Sequence, residues 1–594
     1  MEVQFTDEIE RLKLGAGETF HGEGILAITK GLLQAGVAYV GGYQGAPVSH
    51  LLDVMVQARP YVDTLGVHVE ACSNEASAAA MLGASIHYPL RGAVTWKSIV
   101  GTNVAADALS NLASPGVVGG ALIVVGEDYG EGASVIQERT HAYALKSTLL
   151  LLDPRPELAN LVRLVEHGFA MSEASNMPAI LELRIRACHV RGSFVCQDNR
   201  APAVSTRHLI NEPAGFDYMR LAHPPVTFRH EKLKIEQRIP AAQRYIAEHG
   251  LNELMPGSLD SNVGLVVQGG LYNALQRALQ QLGLADAFGD SALPVLVLNV
   301  TYPLVPQQVS DFCAGKRAVL VVEEGQPNYL EQAIASLLHQ AQSNTAVHGK
   351  GMLPAAGEYM AAELLKGARA FLAHCGRLPA EASAAPAPAA PTPRTIIPIQ
   401  PLAASVHARP PGFCTGCPER PIFTAMKLVE RELGEHHVSA DIGCHLFSIL
   451  PPFNLGNTTM GYGLGAAGAS ALNAPDGKRA ISVMGDGGFW HNGLTSGIAN
   501  AVFNRSDNLT IVVDNRYTSA TGGQDILSSR ALNKSRSTNH PIARAIGGLL
   551  FLIGAIVGSY NIWMTIKMAA SNIAPESTAD RPASAAAPVL QPGE

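Results

Sequence analysis

Apolar positions in the first two hundred residues switch repeatedly between two periods. Gly24–Ala35 repeats at helical spacing, and Gly36–Gly42 is a short continuous apolar run, which predicts a helix followed by a buried strand. The turn-rich Tyr43-Gln44-Gly45-Ala46-Pro47 comes next, and Ser49–Gln57 returns to helical spacing. Gly92–Thr95, Ala121–Val125 and Ala179–Arg184 are further apolar runs set between helical stretches. Repeated βα units of this kind predict a mostly parallel sheet covered on both faces.

After a polar, Pro-broken stretch (Asn199–Phe228) the pattern resumes. Val263–Gly270 runs from strand into a Gly turn, Leu271–Leu282 has helical spacing, and Pro294–Val300 and Arg317–Glu324 are two more strands. Pro379–Pro411 is rich in Ala and Pro without apolar periodicity, the composition of a semi-rigid linker. A third α/β unit occupies Gly412–Pro541. The expected fold is α/β, with three doubly wound parallel-sheet units.

Residues 545–566 carry no charge and are flanked by Arg544 and Lys567. Roughly 20 apolar residues span a bilayer core, and Tyr560 and Trp563 near one end suit its interface. A transmembrane helix is predicted over 544–567, and a buried core helix is the alternative. Arg530, Lys534, Arg536 and Arg544 precede it, against Lys567 and Arg581 after it. That bias places the body in the cytoplasm and the C-terminus outside. The tail at 568–594 has the composition of a disordered segment.

Composition narrows the class. Of 594 residues, 47% are apolar and 16% charged, and the net charge is −7. A strongly basic nucleic-acid binder is excluded, as is a largely disordered chain. Eight cysteines are too sparse for a disulfide scaffold. The charged opening MEVQFTDEIERLKLG lacks the apolar region of a signal peptide.

The candidate chemistry lies in the third unit. Arg479–Met484 is a buried strand running into Gly485-Asp486-Gly487-Gly488; a helix over Asn492–Phe503 and a second strand, Leu509–Val513, follow, ending at Asp514-Asn515. Ligands of parallel sheets bind at such strand ends, where a helix N-terminus offers free N–H groups to phosphate. A divalent cation bridging a diphosphate needs few protein oxygens. Asp486, the side chain of Asn515 and the carbonyl of Tyr517 are candidates to supply them. A plain structural turn is the alternative.

The Gly-Asp-Gly, with 27 residues separating Gly487 from Asn515, resembles the thiamine diphosphate motif with its Mg²⁺. The ending Thr521-Gly522-Gly523-Gln524 resembles the 2-oxoacid:ferredoxin oxidoreductases. Cys414-Thr415-Gly416-Cys417-Pro418-Glu419-Arg420, Gly42–His50, Ser73–Ser85 and Thr95–Leu109 are similar to elements of the indolepyruvate:ferredoxin oxidoreductase large subunit. The resemblance covers about residues 15–543. It implies a pyrimidine-binding domain (1–200), a connecting segment and middle α/β domain (201–378), the linker (379–411) and a diphosphate-binding domain (412–543).

It further implies oxidative decarboxylation of a 2-oxo acid of the aryl pyruvate type. Electrons would pass to ferredoxin, the acyl group to coenzyme A, and a smaller (beta) subunit would be the partner. Glu75 falls where the family places the glutamate that activates the cofactor, with Glu70 the competitor; a helix N-terminal charge is the plainer alternative. Gly443, His445, Gly485, Asp486, Gly487, Gly488 and Asn515 are the expected cofactor contacts. Among His68, His141, His445 and His491, all near the expected cleft, His445 is the first choice for mutation. A non-oxidative thiamine-dependent decarboxylase and an inactive membrane-anchored fusion product are the alternative functions.

Cys414, Cys417 and Cys444 fit three ligands of a [4Fe-4S] cluster, which wants four thiolates. Zinc and plain reduced thiols are the alternatives. After about Ile542 the resemblance to the large subunit stops, and its ferredoxin-like segment is replaced. The new text resembles the final membrane helix of the catalytic subunit of C-type haem-copper oxidases. Impaired electron transfer is therefore expected.

Overall fold

The computed structural model describes residues 4–130, 134, 136–204, 216–258, 262–377, 412–470, 479–519 and 524–529. The linker, the segment at 545–566 and the tail at 568–594 lie outside them. Among the described residues no helix is long and apolar enough to cross a membrane.

The chain forms three main sheets. The first has seven strands in the order Val300–Tyr302, Leu150–Leu152, Ala179–Arg184, Ala121–Glu127, Gly92–Lys97, Tyr39–Gly42, His68–Ala71. All pairings are parallel except that of Val300–Tyr302 with Leu150–Leu152. Its central strands are wholly buried because helices cover both faces. Ile25, Leu161 and Val165 pack on one side; Ala78, Leu109 and Ala144 pack on the other.

The second sheet has five strands in the order Ala346–His348, Ala318–Val322, Val263–Gln268, Val295–Leu298, Glu253–Met255, the last antiparallel. Apolar clusters again lie on both faces. The strand Val300–Tyr302 follows directly on Val295–Leu298 yet joins the first sheet. The carboxyl ends of the two sheets are tied together by charge. Arg184 Nε donates to Glu324 Oε2 at 2.6 Å and Arg139 Nη1 to Glu323 Oε1 at 2.6 Å, all four side chains buried.

The third sheet is parallel, in the order Thr458–Thr459, Val438–Ala440, Ile481–Gly485, Leu509–Val513. Its core is small, built on Phe423, Val438, Phe453, Leu455 and Val483. Among the described residues Leu509–Val513 is an edge strand, and Leu509 and Val512 are exposed. This apolar run is thus covered only in part by the described residues.

Candidate active site

The residues singled out for cofactor chemistry gather at strand carboxyl ends. In the first sheet, Tyr43 and Gln44 follow Tyr39–Gly42, while Asn74 and Glu75 come shortly after His68–Ala71. In the third, Asp441 follows Val438–Ala440, Asp486 follows Ile481–Gly485, and Asp514 and Asn515 follow Leu509–Val513. The two sets of ends meet. Gln44 donates to the Thr518 hydroxyl, and Asn74 Nδ2 donates to the His491 carbonyl at 3.3 Å.

Glu75 opens the helix Glu75–Met81, whose N-cap Asn74 accepts from the Ser77 N–H at 2.9 Å. The N-terminal dipole favours a carboxylate there, but the side chain does more than cap. Glu75 is buried, and its Oε2 accepts from His491 Nε2 at 2.6 Å. The backbone closes around it at Gly101, where a Cβ would lie 2.9 Å from Glu75 Cγ and 2.5 Å from the Trp96 ring. Glu70 is on the surface, its carboxylate 35% exposed and paired with His68 at 3.0 Å. The structure therefore brings Glu75, and not Glu70, to the third sheet.

His491 lies on a wide helical turn, Phe489–Ile498, that continues the short helix Asp486–Gly488. The imidazole is buried between Tyr43 and Tyr462, with ring centroids 4.9 and 4.8 Å away. Burial and the nearby Glu75 charge hold both tyrosine hydroxyls well above their ordinary range, so both remain phenols.

The glycine turn is held from beneath by Asp441, whose carboxyl accepts from Gly463 N–H at 2.7 and 2.8 Å and from Ile442 N–H at 2.8 Å. Burial pushes this carboxyl up to about 7. Gly463 has φ +84°, and a Cβ there would sit 2.5 Å from the Gly488 carbonyl, so only glycine fits. Asp486 is buried, and its oxygens accept from Gly487 N–H at 3.0 Å and Arg516 N–H at 2.5 Å. Burial, with the neighbouring Asp514 carboxyl, pushes it up to about 6.

Other expected residues fall into place unevenly. Gly485, Gly487 and Gly488 form the turn. His445 is buried, held down to about 4 by burial, and its Nε2 has no hydrogen-bond partner. It lies against Gly443, and its ring is 3.5 Å from where a Gly485 Cβ would be. Asn515 is exposed; its oxygen accepts from Tyr517 N–H at 3.1 Å and its amide donates to Ser519 at 2.6 Å. His68 is on the surface with Glu70, and His141 stacks on Tyr329 at 5.2 Å.

Cys414, Cys417 and Cys444 are free thiols. Burial pushes Cys444 up to about 11, and Glu419, Cys417 and Cys414 add to it. Among the described residues no three His, Cys, Asp or Glu side chains come together as a metal site. Sequence reasoning passed over Asp441 and the Asp514 carboxyl, and put His445 ahead of His491. Position was the available signal, since both aspartates directly follow a strand.

Residues 441–552 match the family of thiamine pyrophosphate enzymes at its C-terminal TPP binding domain. The chain is 29% identical over 508 residues to indolepyruvate oxidoreductase subunit IorA of Methanothermobacter thermautotrophicus, covering 84% of this chain and 75% of the relative. It is 27% identical over 530 residues to the IorA subunit of Thermococcus kodakarensis, again covering 84% and 75%.

Among solved structures, a 2-oxoglutarate:ferredoxin oxidoreductase from Magnetococcus marinus, with 2-oxoglutarate, coenzyme A and succinyl-CoA bound, aligns with TM-score 0.44 at 13% identity. The alignment covers 58% of this chain, which spans 64% of that solved protein. The chain is an enzyme of oxidoreductase type, similar over most of its length to the IorA subunits of indolepyruvate oxidoreductases and carrying the C-terminal domain of thiamine pyrophosphate enzymes.

Proposed function

We propose that the chain binds thiamine diphosphate with Mg²⁺ and catalyses oxidative decarboxylation of a 2-oxo acid of the aryl pyruvate type, such as indolepyruvate. Coenzyme A takes the acyl group and ferredoxin the electrons, with a smaller partner subunit completing the enzyme. One observation carries the reading: a buried carboxylate from the first sheet, Glu75, bonded to His491, three residues beyond the Gly-Asp-Gly-Gly turn of the third.

The residues present fit the cofactor. Asp486 and Asp514 set two carboxyls side by side, a concentration of negative charge that a divalent cation relieves. Asp486 and Asn515, with the Tyr517 carbonyl, would hold Mg²⁺. The turn at Gly485–Gly488 lets the backbone approach a diphosphate closely. The Nε2 of His445, buried, uncharged at neutral pH and without a hydrogen-bond partner, is a spare polar atom beside it.

Bound thiamine diphosphate supplies a nucleophilic C2 carbon and an electron sink for the departing CO₂. With the cofactor bound, the Glu75 carboxylate would accept from the N1′–H that the imino form carries and so favour that form. Tyr43 and Tyr462 keep water away from that carboxylate and offer neutral hydroxyls. Asp441 fixes the turn through Gly463.

The test is an anaerobic assay of the full chain with its partner subunit, indolepyruvate, coenzyme A and methyl viologen. Dye reduction dependent on thiamine diphosphate, coenzyme A and 2-oxo acid supports the proposal. Release of CO₂ with no dye reduction makes the chain a non-oxidative decarboxylase, and bound cofactor with neither product overturns the reading.

A further inference from the structure

The pairing of His491 with Glu75 has a feature that a simple interdomain contact does not need. The imidazole is 96% buried, spends Nε2 on Glu75 Oε2, and leaves Nδ1 buried with no hydrogen-bond partner. Buried polar atoms are rarely left unmatched, because each costs free energy comparable to a lost hydrogen bond. The ring is also fixed on every side. Tyr43 and Tyr462 flank it, Asn74 binds its backbone carbonyl, and its wide helical turn is continuous with the glycine turn that Asp486 begins. A histidine placed so tightly, on the residue bearing the cofactor-activating role, fixes where the carboxylate points.

We infer that His491 is a positioning residue for Glu75: its Nε2–H holds Oε2 and aims the carboxylate, with its free edge turned to the aminopyrimidine. The inference rests on the proposed thiamine diphosphate site. It joins the two sheets chemically as well as mechanically, since the turn that takes the diphosphate also carries the group that sets the activating carboxylate.

Three variants of the full chain test it. Gln places an N–H donor near the position of Nε2, and Ala removes it. In cofactor-free protein labelled with ¹⁵N-histidine, the His491 Nε2–H should appear as a downfield proton resonance that is lost in Glu75→Ala. With thiamine diphosphate and Mg²⁺ bound, exchange of the C2 proton should slow about 10- to 100-fold in His491→Ala and return to within about threefold of wild type in His491→Gln. Cofactor affinity should change little in either.

Equal exchange rates in wild type and His491→Ala would overturn the inference while leaving the cofactor site intact. Tighter thiamine diphosphate binding in His491→Ala would also overturn it, because the imidazole would then be competing with the cofactor for Glu75. Absence of thiamine diphosphate binding by the wild type would instead remove the proposed site itself.

Discussion

Glu75 and His491 are separated by 416 residues in sequence and by 2.6 Å in space. Each comes from the carboxyl-end side of a different sheet, so the hydrogen bond exists only when both sheets are folded and docked. Removing one partner leaves a buried polar group unmatched, at a cost of about 1–3 kcal/mol.

Glu75→Gln keeps volume and can still accept from His491 through its amide oxygen. Its charge is gone, so the imino form of the cofactor loses its support. Thiamine diphosphate should bind with near wild-type affinity, while C2 proton exchange followed by NMR slows by about 10²- to 10⁴-fold. If Glu70→Gln slows exchange and Glu75→Gln does not, the surface glutamate is the activating group.

Cofactor binding should depend on pH through Asp486. A metal ion must displace the proton from a carboxyl that is held up to about 6. Mg²⁺-dependent thiamine diphosphate affinity should therefore fall up to about tenfold per pH unit below about pH 6, and level off above pH 7. Calorimetric titrations between pH 5 and 8 would show it; flat affinity across that range would take Asp486 out of the metal site.

Much of this site was legible because its parts are local in sequence. The strands Ala179–Arg184 and Leu509–Val513 and the helix Ser49–Gln57 were read with the bounds they have, since apolar periodicity is a local signal. The turn at Asp486 and the helix-opening Glu75 likewise announce themselves within a few residues. What periodicity cannot carry is pairing. Val300–Tyr302 looks like part of the middle unit and joins the first sheet. His491 looked no better than His445 because its partner is 416 residues away. Asp441 was passed over because its task, holding Gly463, is a contact made 22 residues along the chain.

Asp441 predicts a signature in stability. Its folded carboxyl titrates near 7, against an ordinary value of 3.8. The native state thus holds a proton that the unfolded chain releases, and stability falls as pH rises from about 4 to about 7. The slope from this group is at most about 1.4 kcal/mol per pH unit. Asp441→Asn, which keeps an acceptor for Gly463, should flatten the dependence between about pH 4.5 and 6.5 in urea melts of cofactor-free protein. An unchanged slope would contradict the assignment.

Gly463→Ala should disrupt the turn without altering any side chain that acts on the cofactor. The added Cβ meets the Gly488 carbonyl at 2.5 Å and the Gly493 nitrogen at 2.6 Å, in a backbone conformation that disfavours a side chain. A loss of about 1–3 kcal/mol in stability follows, along with weakened thiamine diphosphate binding. Wild-type affinity in this variant would show that the Asp486–Gly488 turn does not depend on this close approach.

The central claim is that Asp486 and Glu75 border one thiamine diphosphate site, and calorimetric titration of the full chain with thiamine diphosphate, with and without Mg²⁺, tests it most directly. Wild type should bind one cofactor per chain only when Mg²⁺ is present, and Asp486→Ala should lose at least about a hundredfold in affinity, as removal of one charged contact worth about 3 kcal/mol requires, with its secondary structure unchanged by circular dichroism. Saturable binding of equal strength in wild type and Asp486→Ala, or no binding by the wild type at any Mg²⁺ concentration, would contradict the account.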